Sequence, residues 1–131
     1  MRKIALIALA LFSYSNASAQ NLKGEAVILR ALDKVTAITK DFTVAVGDSL
    51  NYGSLRVDVK HCEKRPPEEI PEAYVFLQIF DNKFDDEKQS RIEEKVFSGW
   101  MLKSNPAMSA LDHGVYDIWV IGCKTPDINE D

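Results

Sequence analysis

The sequence predicts an all-β fold, a small antiparallel β-sandwich or barrel of about six to eight strands with one short helical turn. Three observations carry this. Period-two alternation recurs, most cleanly in Leu55-Arg56-Val57-Asp58-Val59-Lys60, where apolar and charged side chains take opposite faces. Turn residues punctuate the apolar runs at Asp33-Lys34, Gly47-Asp48 and Gly53. No long 3.6-residue periodicity is present. The 131 residues, 46% hydrophobic and 27% charged, suit one ordered domain.

The strands follow in order. Ala26–Leu32 is β-prone and stops at the Asp33-Lys34 turn. Across 38–46, Phe42, Val44 and Val46 alternate with Asp41, Thr43 and Ala45. A short strand at Leu50–Tyr52 precedes the 55–60 strand. Pro66, Pro67 and Pro71 then make 63–72 an extended crossover, since proline cannot donate to a ladder; the stretch also has the makings of a docking strip. Ala73–Phe80 is apolar at nearly every position and reads as a central strand covered on both faces. The acidic stretch 81–89 reads as a loop or a frayed helical turn, with Asp85 as a candidate cap. An aromatic-rich strand centred on Val96–Met101 follows. Pro106 opens a capped helical turn through Leu111, and Val115–Cys123 is the last strand.

The first residues carry an address. Arg2 and Lys3 precede the unbroken apolar run from Ile4 to Phe12, and Ala17-Ser18-Ala19 supplies a small-residue site. This is the pattern of a secretory signal peptide cut after Ala19, leaving Gln20 as the first residue; Ser15 and Ala17 also fit a cut after Ala17. The expected organisation is a removed signal over 1–19, one β domain over 20–124 and a flexible tail over 125–131. The run is too short to span a bilayer, and the destination it implies is the periplasm. The chain carries a net charge of −4, and loss of Arg2 and Lys3 makes the mature form more acidic. That balance opposes a nucleic-acid partner, which needs a basic face.

Cys62 and Cys123 are an even pair in an exported chain, for which one disulfide is the default, with free thiols as the plain alternative. Strict alternation turns Cys62 away from Val57 and Val59, while Cys123 shares a face with Val115, Trp119 and Ile121. A β-bulge near His61 is expected to turn Cys62 inward. A zinc site from His61, Cys62, His113 and Cys123 is disfavoured, because adjacent strand residues point to opposite faces and no C-x-x-C is present. No metal or cofactor is expected. The acidic stretch at 81–90 does not match a calcium loop, since Lys83 and Ile92 fall where oxygen ligands belong.

His113, Tyr116 and Asp117 lie near Ser104 and Ser109 and invite a hydrolase reading, but no nucleophile–base motif accompanies them. The simpler expectation has His113 as a favourable charge at a helix C-terminus. Asp117 is expected to pair with Arg65 or Arg30 across the sandwich. Trp100, beside Met101, would suit a partner or an apolar ligand if exposed.

Several motifs together resemble an alphaproteobacterial family of short exported proteins, domain of unknown function 2155. They are Cys62-x-x-Arg65-Pro66-Pro67-Glu68-Glu69-x-Pro71-Glu72, Phe97-Ser98-Gly99-Trp100-Met101, Pro106-Ala107-x-x-Ala110-Leu111-x-His113 and Val115-Tyr116-Asp117-x-Trp119 running on to Cys123. Leu32-Asp33-Lys34-x-Thr36 and Gly53-x-Leu55 match its first half. Gly114 stands where the family pattern has proline, and the acidic stretch at 81–90 differs in composition. The resemblance covers roughly residues 26–123 and implies a periplasmic protein without assigning an activity. The expected function is a non-enzymatic interaction or assembly module of the cell envelope with a protein partner. The alternative is a small-ligand binder or hydrolase centred on Arg65, His113, Tyr116 and Asp117.

Overall fold

Val27, Leu29 and Ala31 are fully buried, while their neighbours in the run Ala26–Asp33 are not, so alternation reads directly as one strand face turned to a core. The computed structural model describes residues 20–108, 111 and 113–126. Among them the strands are β1 (Leu22–Lys23), β2 (Ala26–Asp33), β3 (Ile38–Ala45), β4 (Ser49–Tyr52), β5 (Leu55–Lys64), β6 (Ala73–Asp85), β7 (Ser90–Leu102) and β8 (Tyr116–Lys124). A 3-10 turn, Pro106–Met108, precedes β8. The expected signal segment 1–19, Ser109 and Ala110 of the expected helical turn, and residues 127–131 of the tail lie outside the described residues.

Every pairing is antiparallel. One sheet runs β1-β5-β6-β7, with β4 also on β5; the other runs β3-β2-β8. They stack as an open sandwich, the all-β class that the alternation predicts. The core between them holds Val27 and Leu29 from β2, Leu55, Val57 and Val59 from β5, Val75, Leu77 and Ile79 from β6, and Val120 from β8. Each such aliphatic side chain contributes about 1.5–3 kcal/mol by leaving water.

Two long hairpins turn by one device. Asp33 Oδ1 accepts the amides of Val35 and Thr36, and Ala37 adopts φ 59°. Asp85 Oδ1 likewise accepts the amides of Glu87 and Lys88, and Gln89 adopts φ 49°. An aspartate that bonds its own loop and one left-handed residue close each turn. The stretch 81–89, expected to be a loop or a helical turn, is therefore mostly β6 and the tip of the β6–β7 hairpin. Asp85 closes the turn rather than capping a helix.

Three register shifts reset the faces. In β5, Val59 pairs Leu77 and His61 pairs Phe76, so Lys60 is the extra residue and Cys62 turns inward, fully buried. This is the bulge that the sequence calls for. In β7 the shift falls at Val96. In β8 it falls at Ile121, between Val120 opposite Leu29 and Gly122 opposite Ile28. Strict alternation placed Trp119 and Ile121 with Cys123. Instead Ile118 and Val120 are buried, Trp119 lies on the outer face beside Arg30, and only after the bulge does Cys123 turn inward.

Cys62 and Cys123 form a disulfide across the two sheets, with Cα atoms 6.1 Å apart. The chain crosses from β1 to β2 directly over it. Gly24 donates its amide to the Cys62 carbonyl and Glu25 to that of Lys124, both at 2.8 Å. A Cβ on Gly24 would fall well inside van der Waals contact distance of both sulfurs. The cysteines lock together the end of β5, the end of β8 and the amino-terminal crossing.

Candidate functional site

Pairing of β5, β6 and β7 builds the outer face of the larger sheet row by row. Glu63, Tyr74 and Leu102 form one row and His61, Phe76 and Trp100 the next. Asp58, Gln78 and Ser98 follow, then Arg56, Phe80 and Lys95. Trp100 meets Phe76 edge to face at 5.3 Å and His61 at 5.8 Å. Arg56 lies 4.5 Å over the Phe80 ring, and Arg65 donates to Tyr74 Oη at 3.1 Å. The second sheet packs on the opposite face. β6 is therefore central, as expected, but the described residues cover it on one side only: its outward rings are shielded by one another and by cation stems, and Trp100 remains 46% exposed. Met101, its neighbour, is buried.

The polar rim of this face is ordered. His61 and Glu63 pair at 2.8 Å, and Asn21 donates to the other Glu63 oxygen. These hydrogen bonds hold the Glu63 carboxyl below its ordinary range. Asp58 is also held low, where the Ser49 hydroxyl and Arg56 outweigh the effect of burial.

His113 is at the other end of the sandwich and has a different role. Its Nδ1 accepts the amides of Val115 and Tyr116 at 3.0 and 3.1 Å. Its Nε2 faces Asp81 Oδ2 at 3.0 Å, with the two side chains only 12% and 13% exposed. Two donors at Nδ1 place the ring proton on Nε2, where it is given to Asp81. Both nitrogens are thus engaged, and the imidazole ties β6 of one sheet to the start of β8 in the other. Burial pushes the Asp81 carboxyl up, but the Ser54 hydroxyl and His113 outweigh it and hold it low. The expected helix-terminal charge at His113 is replaced by this lock, because the ring folds back onto its own chain at Val115 and Tyr116.

Tyr116 stacks on His113 at 5.3 Å and meets Tyr52 edge to face. Its hydroxyl occupies the space above Gly53, whose φ of 57° also favours glycine. Asp117 pairs with Lys34 at 3.0 Å, not with Arg65 or Arg30. The reason is register: β2 and β8 set Leu32 opposite Asp117, and Lys34 follows just beyond, while Arg30 is bound by Asp41. Arg65 bonds Tyr74 and the Ile70 carbonyl at the proline crossover. It is separated from Asp81 and His113 by the length of β6 from Ala73, about 25 Å at 3.3 Å per residue. Arg65, His113, Tyr116 and Asp117 therefore do not share one site.

Sequence reasoning missed Ser54, Gly24 and the outward pair Tyr74 and Phe76, and weighed His61 and the stretch containing Asp81 only as disfavoured metal ligands. The double-sided apolarity of Ala73–Phe80 was the available signal for that face. Among the described residues no group of three or more His, Cys, Asp or Glu is placed to hold a metal ion. No helix there is long and apolar enough to cross a membrane.

The depressed carboxylates fix a pH dependence. Asp58, Glu63, Glu72 and Asp81 all have folded values below their unfolded ones. Their stabilisation is complete above the unfolded values, near pH 4, and is lost as pH falls through the lower folded values. Urea midpoints are expected to hold level above about pH 5 and to fall below about pH 4. A midpoint unchanged down to about pH 3 contradicts this assignment.

Comparison with known proteins adds a family and no activity. The family model described as "Uncharacterized protein conserved in bacteria (DUF2155)" matches residues 27–123. An uncharacterized protein of Rickettsia prowazekii (strain Madrid E) is 25% identical over 93 residues, which is 71% of this chain and 57% of that protein. This chain thus spans little more than half the length of that relative. No solved structure matches.

Proposed function

We propose, for a chain that belongs to the DUF2155 family of uncharacterized bacterial proteins, a role as an exported, non-enzymatic interaction module of the periplasm that engages an envelope protein through the outer face of its larger sheet. The observation that carries this reading is the row His61, Phe76 and Trp100, whose rings stand side by side on β5, β6 and β7 with no further layer of the described residues over them. A partly exposed tryptophan with aromatic neighbours, on a face that also carries Arg56 over Phe80 and Arg65 beside Tyr74, has the composition of an interface hot spot. Export is supported by the Arg2-Lys3, apolar run and Ala17-x-Ala19 pattern and by the cysteine pairing, which an oxidising compartment sustains.

The envelope partner is tested in cells with a photo-crosslinking residue at Trp100 and, as control, at Thr43 on the outer face of the other sheet. A reproducible adduct from Trp100 alone is expected. Equal adducts from both sites, or none from either, remove this face from consideration. The mature mass of the periplasmic protein, starting at Gln20, checks export in the same preparation.

A further inference from the structure

At the disulfide end of the sandwich, a notch of about 190 Å³ opens between the end of β5, the crossover and the end of β7. Three cations line it: Lys64, Arg65 and Lys103. Each is hung from backbone that is already fixed. Lys64 pairs with Ala73 in the ladder, Lys103 donates its amide to the Ala73 carbonyl, and Arg65 donates its amide to the Glu72 carbonyl. The Arg65 guanidinium is further held by Tyr74 Oη and the Ile70 carbonyl, which leaves donors of its fork unassigned.

None of the ion pairs among the described residues involves these three cations. The one carboxylate in the notch, Glu72, is already engaged. Its Oε1 accepts the amides of Ala73 and Ser104, and its Oε2 accepts the Ser104 hydroxyl. Three cations against one carboxylate leave the notch two charges positive, in a chain whose net charge is −4. Like charges gathered on rigid backbone repel one another, and a compact dianion relieves that repulsion. A phosphate monoester carries about −1.5 to −2 at neutral pH, with several acceptor oxygens, and suits an arginine fork flanked by two ammonium groups.

We propose that this notch binds a phosphate group, carried by a lipid headgroup or by a soluble phosphate ester. The lipid source has a neighbour in its favour. Ile70, whose carbonyl receives Arg65, is 78% exposed at the crossover and would enter the acyl boundary beside a bound headgroup. Glu68 and Glu69 next to it oppose a densely anionic surface and favour the soluble source.

The test follows amide resonances of the purified, disulfide-bonded protein titrated with inorganic phosphate, against chloride at matched ionic strength. Saturable shifts confined to Lys64, Arg65, Ala73 and Lys103 are expected. Lys103→Glu should weaken them about tenfold or more, the loss of a charge-assisted contact. Lys40→Glu, the same charge change on exposed β3, should leave affinity within about twofold. Lys103 is exposed and its backbone bond is retained, so its melting temperature reports whether the variant stays folded. Equal weakening by both variants, or shifts without saturation, overturns the proposal. Flotation with vesicles containing phosphatidic acid, whose headgroup is a phosphate monoester, but not with phosphatidylcholine vesicles, diminished by Ile70→Ser, assigns the phosphate to a lipid. Phosphate binding without flotation assigns it to a soluble ester.

Discussion

Replacing Cys62 and Cys123 together by alanine is expected to remove about 4 kcal/mol of folding free energy, the chain-entropy value for a bridge across 61 positions. Against the roughly 5–15 kcal/mol of an ordinary domain, that is a large share. Urea denaturation of oxidised wild type and double variant measures it, and a loss below about 1 kcal/mol would show that the bridge ties segments already held by the ladder. Gly24 gives the same feature a sharper test. In the oxidised protein, Gly24→Ala forces a methyl onto both sulfurs and should cost about 1–3 kcal/mol by overpacking, or more if the crossing must move. In the cysteine-free background both sulfurs are gone and the Lys124 carbonyl, 3.2 Å from the added carbon, is the contact that remains, so the cost should fall well below that in the oxidised protein. A cost equal in both backgrounds would place the strain elsewhere, since contacting residues are expected to be non-additive.

The second large effect is expected at His113. His113→Ala removes the partner of a carboxylate that is 13% exposed and releases two amides that bonded Nδ1. Taking a hydrogen-bond donor from a carboxylate this buried costs about 1.5–3 kcal/mol. Asp81→Asn should cost less, because an amide oxygen still accepts the Nε2 hydrogen. The double variant should show coupling of about 1–2 kcal/mol between the two sites. Additive losses would mean that the ring acts through its stacking on Tyr116 rather than through Asp81. The same variants bear on the hydrolase alternative: an imidazole with both nitrogens committed to the fold is lost with stability, not with stability unchanged.

How much of this was legible in the sequence depends on whether a strand buries one face. Leu55–Lys60 does, and its alternation marks strand, face and core together. Cys62 broke that pattern, and a bulge was the economical way to bring it inward. At the far end, Trp119 and Ile121 continued an apparent alternation, so the bulge at Ile121 left no trace in composition and inverted the reading of Ile118 and Val120. The hairpin tip failed for another reason. From Asn82 to Arg91 two strands pair beyond the body of the sheet with no buried face, and backbone pairing alone writes no hydrophobic pattern. The candidate site was least legible, because His113 with Asp81, Lys34 with Asp117 and His61 with Trp100 are all products of register. Adjacency between strands far apart in sequence is not encoded in either segment alone.

The strand order of the smaller sheet has a temporal consequence. β2, among the first strands to emerge, occupies its middle, with its immediate successor β3 on one side and the last strand, β8, on the other. The meander β5-β6-β7 can assemble from neighbours, but Val27 and Leu29 wait for Val120 and Cys123 to arrive from the opposite end of the chain. Closing so long a loop is slow relative to hairpin formation. Until it happens, one edge of β2 offers unpaired backbone to any extended segment nearby. A chain cut short before Tyr116 would keep both hairpins and still have no way to close, so its expected fate is edge-to-edge association rather than a smaller stable sandwich.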